Sequence, residues 1–267
     1  MLDYFLLFLA GLAGGFLAGL LGLGGGIMYL LILPFALTNA GIPQEYLPQF
    51  VIANSIFGIF FASSAGSFEL FRTKQFYWKK ILPVALSSTL VAIIFLITVV
   101  NTSWYSKEKF SAAVIFILLL ILFNALRKKN NAGSAKSKES IPLFLITGFC
   151  GGAVASFTGL GGGTVMVPLL VALNKFQIKT ARAISLGVIT LMSLAMTLFN
   201  LFENVSNFTE HQYGFIILGV AIPLSIGVIL ASPFGVYIGN RLSNKVITIV
   251  FVVFIFLLMI KKISELF

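Results

Sequence analysis

Charge is scarce in this chain of 267 residues: Asp and Glu together number 8, Lys and Arg 18, and charged residues make up 10%. Soluble domains carry about 25%, so a water-soluble globule is excluded. Cys150 is the only cysteine, which rules out an intramolecular disulfide and a cysteine-based metal cluster. His211 is the only histidine, and Glu45, Glu69, Glu203 and Glu210 join it at the ends of apolar stretches or between them. No titratable acid or imidazole therefore lies near the centre of a span, so no proton relay is visible within the membrane. An intramembrane hydrolase would need a serine paired with a buried base, or a metal cluster, and is disfavoured for the same reason. No metal, cofactor or catalytic residue is expected. The N-terminal MLDYFLLFLAG has no basic segment ahead of its apolar run, so it reads as a first span and not as a cleaved signal peptide.

What is present is apolar surface, 59% of the residues. Hydrophobic regions run near 4–37, 48–68, 79–100, 109–126, 141–173, 183–202, 213–239 and 245–260. A span needs about 20 residues at 1.5 Å rise. The runs are unbroken, not alternating, so the expected class is an all-α polytopic membrane protein and not a barrel. The net charge of +10 sits in short clusters between these runs. It reads as a topology signal and not as a nucleic-acid surface.

The stretch GLGGG occurs at Gly22–Gly26 and again at Gly159–Gly163, an offset of 137 residues, and Gly11, Gly14, Gly15 and Ala18 also find counterparts at that offset. With a gap of about seven residues in the intervening loop, Ala53–Ser55 falls on Ala183–Ser185. The chain divides into a first transmembrane repeat (1–126), a basic linker (127–140) expected in the cytoplasm, and a second repeat (141–267). Loop charges are reversed between the repeats: Arg72, Lys74, Lys79 and Lys80 in one, Glu203, Glu210 and His211 at the equivalent place in the other. By the positive-inside rule the repeats have opposite orientations. Four apolar regions per repeat would give an even number of crossings, so the first region of each must turn back, as a helical hairpin broken at GLGGG. Tyr77 with Trp78 and Trp104 with Tyr105 bracket one run and are expected at opposite interfaces.

A hairpin tip at membrane depth leaves uncapped N–H groups and the positive end of a helix dipole behind it. Two such tips meeting near the midplane make an anion site. The expected binding residues are Gly24, Gly25, Gly26, Asn54 and Ser55 in the first repeat and Gly161, Gly162, Gly163, Thr164 and Ser185 in the second. Amide and hydroxyl groups at these positions either donate to an oxyanion or tie helices together. Gly11, Gly14, Gly15, Gly148, Gly151 and Gly152 read as packing positions between helices, as does Cys150. Arg182, one turn before Ser185, reads as a loop cation or as an attractor of anions at the mouth.

GFLAGLLGLGGGIMYLLILP and GGAVASFTGLGGGTVMVPLL, each a glycine-rich apolar helix running into GLGGG, resemble the sulfite exporter TauE/SafE family, also called the toluene sulfonate uptake permease family. Pro168 matches a family proline, while Leu31 stands at that place in the first repeat. The resemblance implies a multi-pass carrier in the bacterial inner membrane whose partners are the lipid bilayer and a small sulfur oxyanion or organosulfonate: sulfite, sulfonate or sulfoacetate. Alternating access with a coupling ion, H+ or Na+, is the expected mechanism. An anion channel and a non-transporting membrane scaffold are the competing readings.

Overall fold

The computed structural model describes residues 2–102, 105–106, 108–112, 115–116, 119, 139–243, 245–247, 249–250, 252–253 and 256. Trp104 and most of the 127–140 linker lie outside these residues. Helix α1 spans Leu2–Leu21, α2 Gly26–Asn39, α3 Leu47–Arg72 and α4 Trp78–Phe95, the last continued by a π-helical turn at Leu96–Val100. After the linker come α5 (Ile141–Thr158), α6 (Gly163–Ala172) and α7 (Ile178–Phe202). A two-residue ribbon, β1 (Gln212–Tyr213) paired antiparallel with β2 (Ile216–Ile217), then leads into α8 (Leu218–Arg241). The ribbon departs from an all-helical reading, which takes 213–239 as one apolar run. Among the described residues six helices, all except α2 and α6, are long and apolar enough to cross a membrane.

Both 4–37 and 141–173 are broken at their glycines. Helix α2, with 14 residues, and α6, with 10, are about 21 and 15 Å long at 1.5 Å per residue, too short for a hydrocarbon core of about 30 Å. Each packs back on its predecessor. A Cβ on Gly14 of α1 would lie 2.6 Å from the Tyr29 ring of α2, and one on Gly151 of α5 would collide with the Met166 side chain of α6. Gly14 and Gly151 are packing positions, but within each broken pair.

The other glycines join elements from different halves. Helix α1 lies along α8, where Gly11 and Gly15 meet the Leu224 and Val228 carbonyls, and α5 lies along α4, where Gly148 and Gly152 meet those of Val84 and Ser88. A side chain at any of these positions would strike backbone, so small residues set the close approach. The outward faces are apolar: Leu82, Leu86, Leu90 and Ile94 form a stripe along α4 at one-turn intervals, matched on α8 by Ile222, Ile226 and Leu230. Such a surface suits lipid. Helices α3 and α7 are the most buried of the six and pack against each other at the centre.

The connections sort to the two ends of this central pair. At the start of α3, Tyr46 and Phe50 pack on Phe208 of the α7–β1 loop, tilted and edge-to-face, with ring centroids 5.3 and 6.0 Å apart. At the other end, Lys80 pairs with Glu139 at 2.7 Å and lies 4.7 Å over the ring of Phe176, in the α6–α7 loop. Trp78 is half exposed at that second end, as an interfacial ring would be. Tyr105 is buried within the protein, and its hydroxyl donates to the Phe157 carbonyl.

Candidate functional site: two facing glycine turns

Gly25 and Gly162 precede α2 and α6 at φ 77° and 72°, a left-handed conformation that costs a residue with a Cβ about 1–2 kcal/mol. A Cβ on Gly25 would also lie 2.5 Å from the Gly14 carbonyl oxygen, and one on Gly162 would collide with that of Gly151. Conformation and space both demand glycine here. Neither helix has a side-chain N-cap; the Met28 and Val165 N–H groups donate to the Gly25 and Gly162 carbonyls, and the N–H groups ahead of them and the positive dipole end are left to whatever lies at the turn.

The two turns abut each other. A Cβ on Gly26 would sit 2.6 Å from the Gly159 carbonyl oxygen, and one on Gly163, its counterpart, 2.7 Å from that of Gly22. Hydrogen bonds repeat the exchange: Ser55 of α3 donates to the Gly159 carbonyl at 2.6 Å, and Ser185 of α7 donates to that of Gly22 at 2.9 Å. Ile59 and Ile189 lie against Gly24, with Ile59 also against Gly161 and Ile189 against Gly163. These isoleucines fall near the middles of the 26-residue α3 and the 25-residue α7, which puts the turns at mid-bundle.

Of the ten residues expected from sequence, the six glycines, Ser55, Ser185 and Thr164 come together. The two serines are engaged as pins on turn carbonyls. Asn54 is not brought to the turns: its amide donates to Phe50 and Phe215 and accepts from the N–H of Ile217, so it anchors the ribbon ahead of α8. Thr164, in the first turn of α6, is fully buried, and its hydroxyl has no hydrogen-bond partner. Tyr29 in α2 is equally buried and unpartnered, with its hydroxyl 3.1 Å from the Cβ position of Gly25. Sequence reasoning missed Tyr29. A tyrosine three residues after GLGGG, where the second repeat has Met166, was the available signal. Among the described residues no group of three His, Cys, Asp or Glu side chains gathers to hold a metal. Cys150 is half-buried in α5, and His211 is exposed ahead of β1.

Among the described residues, six helices long and apolar enough to cross a membrane, with two shorter apolar helices, mark a multi-pass membrane protein. The model of the family described as Sulfite exporter TauE/SafE matches residues 7–262, and the chain belongs to that family. It is similar to a probable membrane transporter protein of Methanocaldococcus jannaschii, 29% identical over 243 residues that cover 90% of this chain and 88% of the relative. The probable membrane transporter protein YunE of Bacillus subtilis is 24% identical over 269 residues, 93% of each chain. A probable membrane transporter protein of Haemophilus influenzae is 25% identical over 168 residues, 61% of each.

Proposed function

We propose that this chain is a carrier for small sulfur-containing anions of the sulfite, sulfonate or sulfoacetate type, working by alternating access in the bacterial inner membrane. The anion binds where the two glycine turns meet. One observation carries this reading: two uncapped helix N-termini from different halves converge at mid-bundle, each with a buried, unpartnered hydroxyl beside it. Backbone N–H groups and hydroxyls donate to an oxyanion without requiring a buried cation at the contact. The binding set is the turn glycines Gly24–Gly26 and Gly161–Gly163 with Thr164 and Tyr29, while Ser55 and Ser185 hold the turns in register.

The halves are inverted repeats. Equivalent connections at opposite ends of the bundle support this: the α2–α3 connection meets the α7–β1 loop, whereas its counterpart between α6 and α7 meets the first turn of α4. The two broken pairs then enter from opposite faces as re-entrant hairpins. Parting of the turns on one face or the other, driven by a coupling ion such as H+ or Na+, gives the alternation. Packing of Ile59 and Ile189 between the turns favours a carrier over an open channel.

The test is flux of radiolabelled sulfite and thiosulfate into proteoliposomes. A carrier gives saturable uptake that unlabelled anion on the opposite side accelerates. Uptake that is linear in concentration and insensitive to the opposite side would indicate a channel, and none for any sulfur anion would remove the transport reading.

A further inference from the structure

At the turns the glycines, Ser55 with Ser185 and Ile59 with Ile189 match, whereas at the ends of the central helices the halves diverge. A Cβ on Gly159 would lie 3.1 Å from the Ile52 Cα of α3, and one on Gly22 would lie 3.0 Å from the Arg182 Cα of α7. Arg182 thus occupies the place that Ile52 fills in the other half. One turn nearer the helix start, Gln49 donates to the Val100 carbonyl at 3.0 Å, and Lys179 donates to that of Asn240 at 2.6 Å. A neutral amide and an isoleucine at one end are therefore replaced by two cations at the other.

Arg182 is not the loop cation its sequence position suggests. It is only 3% exposed, and Nη2 donates to the Gly19 carbonyl at 2.9 Å and Nη1 to that of Gly239 at 3.1 Å, in the last turns of α1 and α8. Those carbonyls are the negative ends of two helix dipoles. Each offsets the guanidinium by about a half-charge, spread over the terminal carbonyls of its helix and not focused as in a carboxylate. Among the described residues no Asp or Glu pairs with Arg182, and its Nε is buried with no partner. A buried cation with no carboxylate partner and an unpartnered Nε, one helical turn from Ser185 and the glycine turns, is a standing attraction for an anion on that side.

We propose that Lys179 and Arg182 form an anion-recruiting mouth on one face only, so that the carrier has a higher affinity for its anion from that face than from the face bearing Gln49 and Ile52. The positive-inside rule places the cationic mouth in the cytoplasm. The proposal rests on the carrier reading above and adds an intrinsic sidedness to it. The other role open to Arg182, a clasp that ties α1 to α8, needs donors to carbonyls but no charge. The two roles separate by substitution. Arg182→Gln keeps an N–H donor and removes the charge, whereas Arg182→Lys keeps the charge and loses the planar fork. Lys179→Gln reproduces the arrangement that Gln49 already holds at the other end, so it preserves folding by precedent within the same molecule.

Half-saturation for radiolabelled sulfite and thiosulfate is measured in everted and right-side-out membrane vesicles, which expose opposite faces, for the full-length chain at matched protein levels. The wild type half-saturates at lower concentration from the cytoplasmic face. Arg182→Gln raises that value about tenfold, the weight of one lost charge contact near a binding site, and leaves the maximal rate and the external face little changed. Lys179→Gln shifts it in the same direction by less, and Arg182→Lys stays close to wild type. Equal half-saturation at the two faces of an active wild type would overturn the proposal while leaving the carrier reading intact. So would Arg182→Gln behaving as wild type, or Lys179→Gln without effect should Arg182→Gln fail to fold. Absence of saturable flux for both probes in the wild type would overturn the carrier reading, and the sidedness with it.

Discussion

At one glycine turn Ser185 donates to Gly22 and Gly163 rests on the same carbonyl; at the other Ser55 donates to Gly159 and Gly26 rests on it. The exchange is nearly complete, and it extends to Ile59 with Ile189 and to Ser63 with Ser193, whose hydroxyls return to those two isoleucine carbonyls. Farther out the likeness fails. Ile52 stands where the other half has Arg182, and Gln49 where it has Lys179. Symmetry is kept where two halves share one task, holding the turns together, and is given up where each half meets a different side of the membrane.

The comparison can be broken most completely at the level of topology. Inversion requires the 73–77 and 203–211 loops to lie on opposite sides. In a Cys150→Ala background, a cysteine placed at Asn207 is expected to react with an impermeant thiol reagent on intact cells, and one at Thr73 only after the membrane is opened. Equal labelling of both would contradict the inverted arrangement.

The hydroxyls offer the next largest effect. Neither Tyr29 nor Thr164 loses a hydrogen bond when its hydroxyl is removed, so Tyr29→Phe and Thr164→Val should leave the thermal midpoint of the detergent-purified protein unchanged or slightly raised. Each should nonetheless weaken sulfite affinity about tenfold, or about 1.4 kcal/mol, by removing one donor to the anion. A lowered midpoint with unchanged affinity would make these hydroxyls structural. The smallest effect on sulfite affinity, and the one that sharpens the symmetry, is at the pins, which act on stability: Ser55→Ala and Ser185→Ala should each lower it by about 1–3 kcal/mol, because each leaves a buried turn carbonyl unsatisfied. The two thermal shifts should agree closely, and a large effect from only one would mean that the halves do not share the load.

Much of this was legible in the sequence because its cause is local. Glycines at Gly25 and Gly162 are dictated by backbone conformation, and the duplication of GLGGG exposes a paired feature before any fold is known. The spans follow from hydropathy alone. What stayed hidden depends on partners far along the chain. A repeat suggests that each half packs on itself, yet α1 lies along α8 and α5 along α4. Asn54 sits beside Ser55 in sequence and one residue turns it to another neighbour, the ribbon at Phe215 and Ile217. The ribbon itself is apolar and merges with the run that follows. Tyr29 and Thr164 stand out only once their hydroxyls are seen to lack partners, and Arg182 resembles a loop cation until the last turns of α1 and α8 close over it.

The claim that two turns form one anion site is tested most directly by equilibrium binding of sulfite to the purified protein and to Gly25→Ala, Gly162→Ala and the double variant, with folding verified by monodispersity. Each alanine strains its own turn and pushes on a backbone carbonyl. If the turns share the anion, either substitution alone lowers affinity at least about tenfold, and the double variant loses little more, the non-additivity expected of residues acting as a unit. Wild-type affinity in one of the single variants, or losses that add in the double, would contradict a shared site.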